Sequence, residues 1–284
     1  MSNLKPNSLI ACLDCPDHVQ AVLDASMWAA MRLQVPIGLL HAIPSVQQKA
    51  AINYSGCLNI DDESYLLDQF TIKEQLSNGE LKAQGRLLLH QAEAYCVQNQ
   101  PKRQTYTLHR HEHLSESLDY IDNEAQLVVI GHEVTCKSTL SQLIRLSHCP
   151  VLVTPAPFSP PTTALFAFDN RATTHKMLDW LCKIPLTRNL TIHIVMVGRD
   201  SSENCDALRE AYARLKQAGI NCKKKLIQSR DACAAINYYQ QENKIGLLMT
   251  GAFGQSRLHE MLQGSDTKKL LGTTKTPYLL FPKA

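Results

Sequence analysis

The chain has no run of about 18 apolar residues, so it offers no stretch suited to crossing a bilayer as a helix. Residues 1–6 lack the basic start, apolar stretch and small-residue cleavage site of a secretion signal. The expectation is a cytoplasmic protein with no membrane association. Charge of one sign is also scarce. A net +3 over 284 residues is far from the basic footprint of a nucleic-acid-binding domain, so DNA and RNA are not expected partners. Disorder is excluded as a general state, because 44% hydrophobic against 19% charged residues is enough for a packed core.

Several catalytic signatures are absent too. There is no Walker A loop, no G-x-G-x-x-G fingerprint and no G-x-S-x-G elbow. His-Glu pairs begin at 111, 132 and 259, but the zinc-protease pattern needs His at 115, 136 and 263, where Ser, Cys and Gln stand. The 10 cysteines are scattered, several inside apolar stretches, as in a reducing compartment where Cys packs as a small core residue. Cys12 and Cys15 have CxxC spacing, yet no second pair or His at ligand spacing accompanies them, which favours packing over a redox or zinc role. His109, His111 and His113 alternate along an expected strand and share a face, a geometry able to chelate Zn²⁺, Cu²⁺ or Ni²⁺. They stand where that strand should end and flank Glu112, which reads equally as a polar strand edge. Lys223 to Lys225 reads as a solvated strand start.

What the sequence does contain is one plan written twice. Residues 8–14 form an apolar run ending in Asp14, followed by a helical pattern over 17–33 with Asp17 as the expected N-cap, and then a second apolar run over 36–43. After a polar segment expected to be irregular at 44–80, helices are expected at 81–99, 115–124 and 139–147, and strands at 104–109, 127–131 and 151–154. Four prolines within 155–161 mark an extended spacer. The order then recurs, with strands at 164–169, 191–197, 222–228, 245–251 and 278–281, and helices at 176–186, 203–218, 232–241 and 265–271. Asp14 matches Asp169, Gly131 matches Gly251, and Cys149-Pro150-Val151 matches Thr276-Pro277-Tyr278, which marks an internal duplication. The expected organisation is a first domain over 1–155 carrying an insertion at about 44–80, a linker at 156–163, and a second domain over 164–284. Strands alternating with helices predict an α/β protein with two tandem, doubly wound, five-stranded parallel sheets of Rossmann-like type. Ligands of such sheets sit beyond the carboxyl ends of the strands, where the strand order reverses. That rule singles out Asp14, Asp169, Val197 and Gly251.

The most specific chemical signal is Gly251-Ala252-Phe253-Gly254, nine residues, then Gly264-Ser265 opening a helix. Glycines let backbone approach a ligand closely, and the free N–H groups of a helix start suit phosphate. With the preceding strand this resembles the G-x2-G-x9-G-[S/T] loop of nucleotide-binding universal stress proteins, and the two-fold plan resembles the tandem members of that family, whose fold is that of the adenine nucleotide alpha hydrolases. The resemblance implies that Gly251, Gly254, Gly264 and Ser265 hold the phosphates of ATP, or of ADP or AMP, with Mg²⁺ as an optional companion. It also implies that Asp169 lies near the nucleoside, that Val197 lines the adenine pocket, and that Thr250 takes a place often held by an apolar residue. Asp169-Asn170-Arg171 stands where the family usually has Asp-Gly-Ser. In the first copy, His132 to Cys136 follows Gly131 with no second or third glycine, so that copy is expected to serve structure rather than nucleotide. The implied function is adenine-nucleotide binding in stress response, its output read through occupancy or through a homodimer, with the two copies pairing within the chain. No general base stands beside the expected γ-phosphate, so hydrolysis should be slow at most. The alternatives are an ATPase holding metal through Asp169 or Asp266, and a scaffold whose two sites have decayed.

Overall fold

The computed structural model describes residues 5–13, 16–42, 60–110, 124–132, 147–251 and 276–282, with backbone alone over 60–78. Ten strands are described: β1 (Ser8–Cys12), β2 (Ile37–Ala42), β3 (Thr105–Arg110), β4 (Ala125–Gly131), β5 (Val151–Thr154), β6 (Thr163–Ala167), β7 (Thr191–Val197), β8 (Cys222–Ile227), β9 (Leu248–Gly251) and β10 (Tyr278–Phe281). The described helices are α1 (Val19–Leu33), α2 (Ile60–Asn99), α3 (Ala172–Lys183), α4 (Ser202–Gln217) and α5 (Ala232–Glu242).

All ten strands share one sheet, ordered β3-β2-β1-β4-β5-β10-β9-β6-β7-β8. Within each half every pairing is parallel, and the two halves carry the same internal order read outward from the centre. The two expected five-stranded sheets are thus joined edge to edge. At the join β5 and β10 run antiparallel, with Leu152 opposite Leu279. Both strands are buried throughout. An exposed apolar edge is prone to unwanted pairing, and each of these strands covers the other.

The sheet is buried on both faces along its inner strands, and the alternation of side chains divides the core in two. In β1, Leu9 and Ala11 join the larger cluster, with residues of α1, α2, α3 and α4, whereas Ile10 and Cys12 point to the opposite cluster, which Ile236 of α5 caps. The spacer at 155–161 contains neither helix nor strand and is packed down rather than free. Its Phe158 is buried against Trp28 of α1, ring centroids 5.9 Å apart.

Helix α2 begins at Ile60, well before the expected 81. The segment is polar around its circumference and has no apolar stripe to signal a helix, yet its Leu, Glu, Gln and Lys residues are good helix formers. Asp17 does not cap α1. It lies in a 3-10 turn, Pro16–His18, and His18 takes the cap position without a side-chain bond. Helix α3 starts at Ala172, four residues before the expected 176, and ends at Lys183, ahead of a 3-10 turn at Pro185–Thr187 that stops it short of the expected 186. Strand β9 is shorter than expected, starting at Leu248. The helices expected at 115–124, 139–147 and 265–271 fall largely or wholly outside the described residues.

Candidate functional site

Strand order reverses between β1 and β4 in one half and between β6 and β9 in the other, so each half has one crevice at its carboxyl edge. In the second half, Ala167 of β6 pairs with Val195 and Phe166 pairs with Met249. Two residues further along, the chain therefore delivers Asp169, Val197 and Gly251 to nearly the same height on one edge. The structure brings Asp169, Val197, Thr250 and Gly251 together there. Gly254, Gly264 and Ser265 lie outside the described residues, as does Asp266.

Asp169 organises the turn from β6 into α3. Its Oδ1 accepts the Arg171 backbone N–H at 3.2 Å and the Thr174 hydroxyl at 2.8 Å. The Thr174 Oγ1 also accepts the Arg171 N–H at 3.2 Å. Orphan donors at the start of a helix need such partners. Asn170 occupies the left-handed region, φ 59°, which its short polar side chain tolerates better than most. Its Oδ1 lies 2.9 Å from Nε2 of His175, whose ring packs edge-on against Phe168. The second Asp169 oxygen stands 3.8 Å from Nε of Arg171, with both side chains partly exposed.

Val197 packs against the apolar cluster of the α5 face. The Thr250 side chain is buried, with its hydroxyl turned toward the Gly251 carbonyl at 3.4 Å, so the backbone is what this strand end presents to the crevice. Gly251 is required by close approach: a Cβ there would lie 2.9 Å from Cγ2 of Thr173, in the first turn of α3. That turn holds no acidic residue of its own, and the Asp169 carboxylate just before it is the negative group at the helix start. The first half repeats this contact, since a Cβ on Gly131 would meet Cβ of His18, at the start of α1, at 2.5 Å. The matched glycines therefore have one steric cause, a helix start pressed onto a strand end. Asp14, the partner of Asp169 in the duplication, lies outside the described residues.

Sequence reasoning missed Arg171, Thr173, Thr174 and His175. Asp-Asn at a strand end is a turn signal, and a threonine five residues on is the available hint of the cap. The other candidates separate from this edge. His109 sits on β3, its ring stacked 5.9 Å from that of His41, while His111 and His113 lie outside the described residues. Among the described residues, no group of three or more His, Cys, Asp or Glu is arranged to hold a metal. Cys12 is buried in β1, and Cys15 lies outside the described residues. Lys223, Lys224 and Lys225 are exposed along β8, as expected of a solvated strand.

No protein-family model matches the chain. It is 28% identical over 286 aligned positions to universal stress protein Slr1230 of Synechocystis sp., an alignment covering 96% of this chain and 99% of that one. A universal stress protein structure from Archaeoglobus fulgidus superposes with TM-score 0.61 at 15% identity, covering 98% of this chain and 97% of the other. A structure of a putative universal stress protein from Pseudomonas aeruginosa gives 0.54 at 14%, covering 98% and 93%. These structural likenesses establish the fold, while the sequence relative spans both halves. Among the described residues no helix is long and apolar enough to cross a membrane.

Proposed function

We propose, from the chain's 28% identity over nearly its whole length to a universal stress protein, that it is a universal stress protein whose C-terminal half binds an adenine nucleotide, and that occupancy, rather than chemistry, is its output. The observation that supports this best is the convergence of Asp169, Val197 and Gly251 on one crevice beside the α3 N-terminus. In this reading the adenine lies by Val197, the nucleoside by Asp169, and the phosphates meet backbone N–H groups from Gly251 onward, with Gly254, Gly264 and Ser265 completing the loop. Mg²⁺ accompanies the phosphates when it binds. Asp169 spends one oxygen on its own turn, which favours a binding role over a metal-holding catalytic one.

The two halves are read as two domains, 1–155 and 164–284, joined by the linker at 156–163. The antiparallel β5–β10 pairing supports a reading in which they pair about a local pseudo-dyad, a relation that single-domain proteins reach by forming a homodimer. The N-terminal half, lacking the later glycines, serves that pairing. The protein works in the cytoplasm.

Thermal unfolding with ATP, ADP and AMP tests the reading. A ligand at a hundred times its dissociation constant adds about 2.7 kcal/mol to stability, so the melting temperature should rise with at least one of them. An unchanged melting temperature with all three would leave a scaffold without nucleotide.

A further inference from the structure

Where the two halves join, the amino edge of the first half holds a cleft of about 470 Å³, a size that admits a small ligand. We infer that this cleft is a second binding site, for a small organic cation that carries N–H donors. It shares no lining residue with the crevice described above.

The cleft exists because the halves meet. One wall is built by residues that lead into β1, β4 and β5, among them Pro6, Glu124, Gln126, His148 and Pro150. The other is Trp180, which comes from α3 in the second half. The antiparallel register, Leu280 opposite Val151, brings Phe281 level with Pro150. Trp180 packs edge-on against Phe281, ring centroids 5.1 Å apart, which fixes the indole beside the first wall. Glu124 is fixed as well, since its backbone carbonyl accepts the Asn7 N–H at 2.8 Å.

Three features set the class of ligand. The side-chain carbonyl of Gln126 is buried with no hydrogen-bond partner, an acceptor that a ligand N–H would satisfy. Glu124 supplies a carboxylate, and the described lining contains no lysine or arginine to neutralise it. His148 and Cys149 are its other titratable groups. Lys5, just before Pro6, keeps its ammonium over the Tyr106 ring, 5.5 Å from the centroid. The charge of the cleft therefore favours a cation over an anion. Third, an indole attracts cations through the negative face of its ring. A bare acceptor, a carboxylate and a fixed indole together match an amine or a guanidine.

Isothermal calorimetry on the full-length protein tests this with three probes. Butylamine and butylguanidine distinguish the two head groups, and tetramethylammonium keeps the charge without any N–H donor. At least one of the first two should bind with a Kd of about 1 mM or tighter, and tetramethylammonium should bind at least about tenfold more weakly than the better of them. E124Q and W180L should each weaken the better probe by about threefold or more, and Q126L should bring it toward tetramethylammonium. Glu124 is exposed, so E124Q keeps the test valid even where W180L unfolds. No heat of binding from either donor-bearing probe up to about 10 mM overturns the inference. So does tetramethylammonium binding equally well, or an E124Q variant of wild-type melting temperature that binds as wild type does.

Discussion

Replacing Gly251 with alanine isolates the contact that shapes the crevice. The added Cβ would stand 2.9 Å from Cγ2 of Thr173 and 3.4 Å from its Cβ, so the first distance lies well inside ordinary van der Waals contact and the second at its edge. Gly251 does not occupy the left-handed region, so the penalty is steric and not one of backbone conformation. Overpacking of this kind costs about 1–3 kcal/mol. Urea denaturation should therefore show a lower midpoint for G251A at unchanged slope. Because the worst contact is with Cγ2, T173A removes it and leaves only the 3.4 Å neighbour. The double variant G251A/T173A should recover a large part of the loss, giving a coupling energy of at least about 0.5 kcal/mol. At Gly131 the opposing atom is Cβ of His18, at 2.5 Å, which cannot swing aside, so G131A should cost more than G251A. The reasoning is refuted if G251A stays within about 0.5 kcal/mol of wild type, or if T173A gives no rescue.

D169A removes the acceptor for the Arg171 N–H and the Thr174 hydroxyl and should lose about 1–2 kcal/mol in urea denaturation, whereas D169N, which keeps a carbonyl oxygen, should lose less. His193 is buried in β7 beside the Tyr239 hydroxyl, and burial, reinforced by Lys223, holds its pKa below the usual 6.5. The unfolded chain then binds more protons than the folded one, so the His193 contribution is intact above pH 6.5 and is lost as pH falls below that value toward the lower folded pKa. H193Q should flatten that part of a midpoint-against-pH curve relative to wild type. Burial pushes the Cys96 thiol up to about 11, leaving on the order of one thiolate in a thousand at pH 8. Iodoacetamide labelling read by peptide mass spectrometry should spare Cys96 in folded protein and modify it in urea.

The strands were the most legible part of the fold, because runs such as Leu127–Ile130 and Ala164–Phe168 are apolar without a break, the mark of strands buried on both faces. The duplication was legible through Gly131 and Gly251, and the structure supplies its cause in the helix starts that press on both. Helix starts were harder to place. Ala172-Thr173-Thr174 looks like turn sequence, since threonine is a poor helix former, and its helical state depends on bonds to Asp169. The early start of α2 was hidden for the opposite reason: good helix formers without an apolar stripe carry no periodic signal. The antiparallel join of β5 and β10 could not be read at all. Nothing local distinguishes an apolar strand that pairs within its own half from one that pairs across the centre. At the candidate site, the placing of Asp169, Val197 and Gly251 at strand ends was legible, whereas Thr173 was passed over because its contact is with Gly251, on another strand.

The central claim is a single nucleotide site, built on the C-terminal copy alone. Native mass spectrometry of the whole chain in the presence of excess ATP counts it directly. The account predicts one nucleotide per chain and none beyond it. Two per chain would show that the N-terminal copy binds as well despite its missing glycines, and none would contradict the site altogether.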